Sequence, residues 1–278
     1  MKKIWVVPTL LTLANGYFGI LALAKAADAA MIGAGDPRFG ETLEYAALCI
    51  LFAMACDALD GWVARRLGTS SALGAQLDSL CDAITFGVAP AIVFKSLVER
   101  EAANRNGVSV AETRYYLAAA ACYALCAILR LARFNVDSSL GREDHKVFRG
   151  LPSPGAAIVV ASVVLFYFDE RWTKWLSRGT ADAILGVLRG AMPFAMVGLG
   201  FLMVSRIGYP HFATAILGRR RSFRSFAQLV VALALLWMEF RVALLVGSVA
   251  FAVYGPAVYL SKRARGRRGP RPSRALKT

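Results

Sequence analysis

The chain has 278 residues, of which 57% are hydrophobic, and its formal net charge at pH 7 is +15. Soluble domains are usually closer to half apolar, whereas the apolar residues here fall in runs of about 20, the length that a helix needs to cross a bilayer. Composition and distribution together exclude a soluble globular protein.

In chain order, eight membrane helices are predicted, over 5–27, 43–67, 74–98, 114–135, 152–169, 183–205, 223–239 and 242–261. Helices are expected because a backbone in lipid must satisfy its own hydrogen bonds, and no segment alternates as a barrel strand does. Arg189 and Pro193 interrupt the sixth run. The predicted fold class is all-α, a polytopic membrane helical bundle.

Basic residues predict the orientation of this bundle. Loops on the side of the N-terminus hold more Lys and Arg than the opposite loops, which places both termini in the cytoplasm. Much of the positive charge lies at the C-terminal end, and residues 265–278 form a tail rich in Arg, Gly and Pro. We predict that this tail is disordered until it meets anionic membrane lipid. Nucleic acid is not an expected partner.

Four aspartates break the rule that charges avoid membrane helices: Asp57, Asp60, Asp78 and Asp82. The first two are three residues apart and the last two are four apart, so each pair shares one helix face. A turn near 68–71 would bring the pairs to similar depths in antiparallel helices. Because four converging carboxylates repel one another, the spacing predicts a site for a hard divalent cation, which prefers oxygen ligands.

Small residues accompany the aspartates, and Arg65 lies where it could bind a phosphate through a bidentate fork. Gly61, Ala64 and Gly74 leave room for a ligand or for a facing helix. Two other interpretations stay open at this point. The small residues could serve helix packing alone, and the carboxylates could line the path of an ion or proton transporter.

The pattern Asp57-x2-Asp60-Gly61-x2-Ala64-Arg65-x8-Gly74-x3-Asp78-x3-Asp82 resembles the signature of the CDP-alcohol phosphatidyltransferases at every fixed position. Further segments are similar to the phosphatidylserine synthase branch of that family, among them 8–15, 85–90, 129–135, 150–154 and 204–210. The resemblance spans about 8–212. It implies an integral membrane catalytic domain over 1–264, with a family core at about 5–212, an extra helical pair at about 223–261 and the tail at 265–278.

This resemblance implies two divalent cations, Mg²⁺ or Mn²⁺, held by the four aspartates. Asp57, Asp60 and Asp78 would bind one ion, and Asp78 and Asp82 would bind the other. Asp82 is also the expected catalytic base for the acceptor hydroxyl. The residues expected to bind the CDP group are Asp60, Gly61, Ala64, Arg65, Ser70 and Gly74.

The branch implies that the phosphatidyl group moves from CDP-diacylglycerol to L-serine, giving phosphatidylserine and CMP. Arg130 and Arg133, with Asn135 and Ser153, are the expected acceptor-binding residues. Another acceptor, such as glycerol 3-phosphate, inositol phosphate or choline, and CDP-archaeol as donor remain alternatives. The expected location is a prokaryotic cell membrane with a cytoplasmic active site. Monomer and homodimer are both left open.

Overall fold

The computed structural model describes residues 6–33, 35–67, 72–106, 109–139, 147–173, 177–210 and 239–266. The helices are α1 Val6–Met31, α2 Arg38–Leu67, α3 Ala72–Asp82, a π-helical turn Ala83–Val88, α4 Ala89–Asn106, α5 Val110–Ser139, α6 Ser153–Tyr167, α7 Glu170–Thr173, α8 Arg178–Val204 and α9 Phe240–Gly266. Two short strands, β1 Val147–Arg149 and β2 Gly208–Pro210, pair antiparallel, with Phe148 opposite Tyr209.

Six helical stretches in the described residues are long and apolar enough to cross a membrane: Val7–Met31, Arg38–Ala64, Leu73–Asn104, Val110–Asp137, Ala183–Val204 and Phe240–Ser261. The predicted all-α polytopic membrane fold is confirmed. The stretch Leu73–Asn104 runs through α3, the π-helical turn and α4 as one span. Arg189 and Pro193 do not break α8, which is continuous from Arg178 to Val204.

Two of the eight predicted spans are not among these six stretches. The span predicted over 152–169 contains α6, which has 15 residues and is shorter than a typical membrane-crossing helix. Most of its side chains are buried, so α6 lies among the longer helices. The span predicted over 223–239 lies, apart from Glu239, outside the described residues.

Small residues bring α1 close to its neighbours. Ala22, Ala26 and Ala29 of α1 are fully buried, as is expected where membrane helices approach closely. A Cβ added to Gly19 would lie 2.2 Å from the Thr85 hydroxyl oxygen in the π-helical turn. A Cβ on Gly16 would lie 2.8 Å from the Cys81 sulfur. These two glycines therefore let α1 pack directly against the segment that begins at Asp78.

The strand pair fixes where α6 begins. The backbone amide of Gly150 donates to the carbonyl of Ile207 at 2.8 Å, and that of Leu151 donates to the carbonyl of Leu202 at 3.0 Å. Gly150 has a φ of +85°, and an added Cβ would lie 2.2 Å from the Met203 carbonyl oxygen, so glycine suits this position. As a result the first residue of α6, Ser153, is held beside the end of α8.

Arg241 joins α9 to two other helices. Its guanidinium donates two hydrogen bonds to the carboxylate of Glu44 on α2, one of them 3.1 Å long, and a third to the Leu165 carbonyl of α6 at 3.1 Å. The two side chains are about one quarter and one fifth exposed. Breaking such a partly buried pair leaves the remaining charge without its partner.

We therefore expect Arg241→Gln to lower the midpoint of thermal unfolding in detergent by roughly 5 °C. The control is Arg38→Gln, which removes an arginine whose side chain is 76% exposed in its pair with Asp36. Surface pairs contribute little to stability, so the control should stay within about 1 °C of the wild type. Equal shifts for the two variants would contradict this role for Arg241.

Candidate active site

Three aspartates converge between α2 and α3. Asp57, Asp78 and Asp82 each offer a carboxylate oxygen, and these oxygens all lie within 4.8 Å of one another. Asp57 comes from α2, while Asp78 and Asp82 lie one turn apart on α3. The spacing of four residues places the last two on the same face. The structure thus brings three of the four predicted aspartates into one cluster.

The fourth aspartate, Asp60, lies one turn from Asp57 and points to a partner on α1. It is buried, with 7% of its surface exposed, and its carboxylate accepts a hydrogen bond from the hydroxyl of Thr12. The Thr12 hydroxyl also lies 3.0 Å from the carbonyl of Pro8. Asp60 still interacts electrostatically with Asp78, so it borders the three-aspartate cluster.

A second residue of α1 contacts the cluster directly. The amide nitrogen of Asn15 donates to Oδ1 of Asp82 at 2.9 Å, and Asn15 is fully buried. Neither Thr12 nor Asn15 was among the predicted site residues. The sequence did contain a signal for them, since these two polar side chains lie three residues apart on one face in the apolar N-terminal part of α1.

The π-helical turn follows Asp82 directly and is tied to its neighbours. The hydroxyl of Thr85 donates to the carbonyl of Asn15 at 3.2 Å, and the hydroxyl of Tyr123 on α5 donates to the carbonyl of Phe86 at 3.1 Å. Single π-helical turns inside α-helices are frequent at functional sites. Here the turn connects α1 and α5 to the end of α3.

Arg130 and Ser153, two of the predicted acceptor-binding residues, lie in contact with each other. The guanidinium of Arg130 donates to the hydroxyl of Ser153 at 2.9 Å. Arg130 also interacts electrostatically with Asp82, while its buried Nε has no hydrogen-bond partner among the described residues. Charged groups inside a membrane protein usually face a partner or a cavity.

The other two predicted acceptor-binding residues have partners of their own. Arg133 lies 3.7 Å from Asp137, one turn further along α5. The amide of Asn135 donates to the hydroxyl of Ser79 at 3.0 Å, and Ser79 is the residue that follows Asp78. Arg133 therefore pairs within α5, and Asn135 links α5 to α3.

The predicted CDP-binding residues flank the cluster on two helices. Gly61 and Ala64 follow Asp60 on α2, Gly74 precedes Asp78 on α3, and all three are half-buried. The side chain of Arg65 and the whole of Ser70 lie outside what the structure describes.

The described residues also line a cavity of about 400 Å³ away from the aspartates, between Phe39, Lys95, Glu99 and Arg100. Lys95 and Glu99 form an ion pair of 2.7 Å. Arg100 donates to the carbonyls of Gly33, Ala29 and Ile32 around the end of α1. These contacts give each of the three charged side chains a partner in the packing at the end of α1. We therefore place the candidate active site at the aspartates and not at this cavity.

The aspartate cluster fits a divalent cation. Carboxylate oxygens from two helices are the ligands that Mg²⁺ and related hard ions prefer. The side chain of Asn15 contacts Asp82, and its buried Oδ1 lacks a hydrogen-bond partner within the described part of the chain. Such buried polar atoms are rare in folded proteins and often mark a missing water, ion or ligand.

Comparison with known proteins identifies the family. The model for "CDP-alcohol phosphatidyltransferase" matches residues 5–185, which contain all four aspartates. The chain belongs to the CDP-alcohol phosphatidyltransferase family. Membership agrees with the resemblance drawn from the spacing between Asp57 and Asp82, and with the apolar helices that make this phosphatidyltransferase an integral membrane protein.

Curated relatives cover most of this phosphatidyltransferase. An archaetidylserine synthase of Methanothermobacter thermautotrophicus is 32% identical over 206 residues, which is 73% of this chain and 69% of the relative. A CDP-diacylglycerol–serine O-phosphatidyltransferase of Helicobacter pylori is 32% identical over 213 residues, covering 73% and 78%. An enzyme of the same description from Bacillus subtilis is 30% identical over 206 residues, covering 74% and 90%.

Proposed function

We propose that this protein transfers the phosphatidyl group of CDP-diacylglycerol to L-serine, with phosphatidylserine and CMP as products. The observation that carries the proposal is the convergence of Asp57, Asp78 and Asp82, one of which interacts electrostatically with the half-buried Arg130. Carboxylates supply a base and metal ligands, and the arginine supplies a charge that complements the carboxylate of serine. The names of the relatives support serine as the acceptor.

The four aspartates would hold two divalent cations, Mg²⁺ or Mn²⁺. In this assignment, Asp57, Asp60 and Asp78 bind one ion, and Asp78 and Asp82 share the other. Two ions at such a site offset the negative charge that develops on the attacking and leaving oxygens. The Thr12 hydroxyl donates to Asp60, and the Asn15 amide donates to Asp82.

Asp82 acts as the base in the proposed mechanism. Its carboxylate takes the proton of the serine hydroxyl, and the hydroxyl oxygen attacks the phosphorus that carries diacylglycerol. The bond from that phosphorus to the CMP oxygen breaks, and CMP leaves. As in other phosphoryl transfers, the protein contributes mainly positioning and charge stabilisation.

Different residues would bind the two substrates. Gly61, Ala64 and Gly74 would let the cytidine diphosphate approach the backbone, and Arg65 with Ser70 would contact its phosphates. Arg130 would bind the serine carboxylate from a position fixed by Ser153. We assign Arg133 and Asn135 to the outer part of the acceptor site, where they pair with Asp137 and Ser79.

The proposed setting is a prokaryotic cell membrane, with both termini and the active site on the cytoplasmic side. The excess of basic residues in the loops on that side supports this orientation. The tail at 265–278 would contact anionic lipid headgroups through its arginines. In this arrangement CDP-diacylglycerol enters from the membrane, and serine enters from the cytoplasm.

An acceptor screen tests the proposal. Purified protein is incubated with CDP-diacylglycerol and Mg²⁺ or Mn²⁺, and CMP release is measured with serine, glycerol 3-phosphate, inositol phosphate or choline. We expect rapid release with serine alone. Faster release with another alcohol would keep the family reaction and overturn serine as the acceptor. Ion flux in liposomes without CMP release would favour a transporter.

An ether-linked donor is a second candidate because one relative is named an archaetidylserine synthase. The proposal predicts faster serine-dependent CMP release with CDP-diacylglycerol than with CDP-archaeol under matched conditions. The reverse order would assign the ether lipid as the donor and leave serine as the acceptor. Both donors carry the same CDP group, so the comparison isolates recognition of the lipid chains.

A further inference from the structure

We propose that Asn15 on α1 is a positioning residue that sets the direction of the Asp82 carboxylate; this rests on the proposed role of Asp82. The amide nitrogen of Asn15 lies 2.9 Å from Oδ1 of Asp82, across an interface between helices that are far apart in sequence. The family signature between Asp57 and Asp82 does not contain this residue. Asn15 would extend the machinery of the site to the first helix.

Burial makes the side chain of Asn15 costly unless it has a partner. Asn15 has 0% exposure and lies inside the apolar stretch Val7–Met31. A buried amide without hydrogen bonds destabilises a protein by a few kcal/mol. The amide group of Asn15 donates to Asp82, so the stabilising partner of Asn15 is the proposed base.

The orientation of the Asn15 amide follows from the chemistry of its partner. An ionised carboxylate only accepts hydrogen bonds, so the NH₂ group of Asn15 must face Asp82. The opposite atom, Oδ1 of Asn15, is buried and has no partner among the described residues. With Oδ1 of Asp82 accepting from the amide, the second oxygen of Asp82 keeps both of its lone pairs for the acceptor proton or for an ion.

The backbone of Asn15 also has a hydrogen-bond partner. The hydroxyl of Thr85 donates to the carbonyl of Asn15 at 3.2 Å. Gly16 and Gly19 let α1 approach α3 and the π-helical turn so closely that an added Cβ would collide with Cys81 or Thr85. These contacts hold Asn15 against Asp82 through both its side chain and its backbone, as is required of a residue that positions a base.

The test replaces Asn15 by leucine, which has a similar volume and no hydrogen-bonding group. We expect the kcat for serine-dependent CMP release to fall tenfold to a hundredfold, the size associated with a hydrogen bond to a charged group. The KM for CDP-diacylglycerol should change less than threefold. Mn²⁺ binding without substrate, followed by electron paramagnetic resonance, should weaken because Asp82 is no longer aimed.

The matched control is Ser162→Ala, which removes a fully buried polar group from another helix. Ser162 shares a hydrogen bond of 2.9 Å with Ser248 and lies outside the proposed machinery. This control should keep the wild-type kcat and Mn²⁺ affinity. Equal losses in both variants would show a general packing effect, and a kcat for Asn15→Leu within twofold of the wild type would also overturn the inference.

Two further variants test the same inference if Asn15→Leu does not fold. Asn15→Ala removes the amide and leaves a smaller side chain, and the same kcat and Mn²⁺ criteria apply to it. Thr85→Val loses the bond to the Asn15 backbone but keeps the amide, so its loss should be the smaller one. If the wild type releases no CMP with any acceptor, the proposed function fails, while Mn²⁺ binding still decides whether Asn15 positions Asp82.

Discussion

Asp82→Asn is expected to lower the kcat for phosphatidyl transfer about a thousandfold or more and to leave a folded, membrane-inserted protein. The amide cannot take the proton of the serine hydroxyl, and removal of a general base costs between about a hundredfold and ten thousandfold. Asparagine has the shape of aspartate and still offers an oxygen to the Asn15 amide, 2.9 Å away in the wild type. Loss of activity should therefore come without loss of structure.

The measurement is CMP release from CDP-diacylglycerol at saturating serine, with thermal unfolding in detergent as the check on folding. Asp28→Asn is the matched control, since Asp28 forms an exposed ion pair with Lys25 at the opposite end of α1. Exposed pairs contribute little, so the control should behave as the wild type. Near-normal turnover by Asp82→Asn would remove Asp82 from its role as the base.

Arg130→Gln carries the second large expected effect, a loss of about a hundredfold in kcat/KM for serine, mostly through KM. Truncating one member of a buried charge pair costs roughly 2–5 kcal/mol, and each 1.4 kcal/mol corresponds to a factor of ten. Glutamine retains a donor that can reach toward Ser153, which accepts from Arg130 in the wild type. The substitution therefore removes mainly the positive charge that would bind the serine carboxylate.

Ethanolamine, which is serine without the carboxylate, makes this test specific. The wild type should have a much higher kcat/KM for serine than for ethanolamine. Arg130→Gln should lower this serine-to-ethanolamine ratio, because ethanolamine has no carboxylate for the guanidinium to bind. Arg133→Gln provides the comparison, since Arg133 lies 3.7 Å from Asp137. We expect it to change the ratio less than threefold. A larger change in Arg133→Gln than in Arg130→Gln would move the carboxylate site to Arg133.

The carboxylate cluster shows what residue spacing alone can predict and what it cannot. Helical periodicity placed Asp57 with Asp60 and Asp78 with Asp82, and the structure brings Asp57, Asp78 and Asp82 together. Periodicity could not predict that Asp60 turns to Thr12, because that contact depends on how α1 packs against α2. The same limit applies to Asn15, whose partner is 67 positions away.

Helix lengths were likewise predictable from the sequence only in part. Runs of apolar residues located the long membrane helices, because hydrocarbon imposes both a length and a composition on each span. They did not predict that α6 ends after 15 residues or that a π-helical turn follows Asp82. Those features depend on neighbouring helices, which bury α6 and supply the Tyr123 hydroxyl that bonds to the carbonyl of Phe86.

The membrane-spanning class of this protein, its family and its four aspartates could be predicted, because each of these follows from composition or from residue spacing. The side chains that complete the site depend on the tertiary structure. Asn15 of α1 contacts Asp82, and Arg130 of α5, which bonds to Ser153 of α6, interacts with Asp82 electrostatically. Their meeting depends on close helix packing at residues such as Gly16 and Gly19, and local periodicity contains no information about contacts between distant segments.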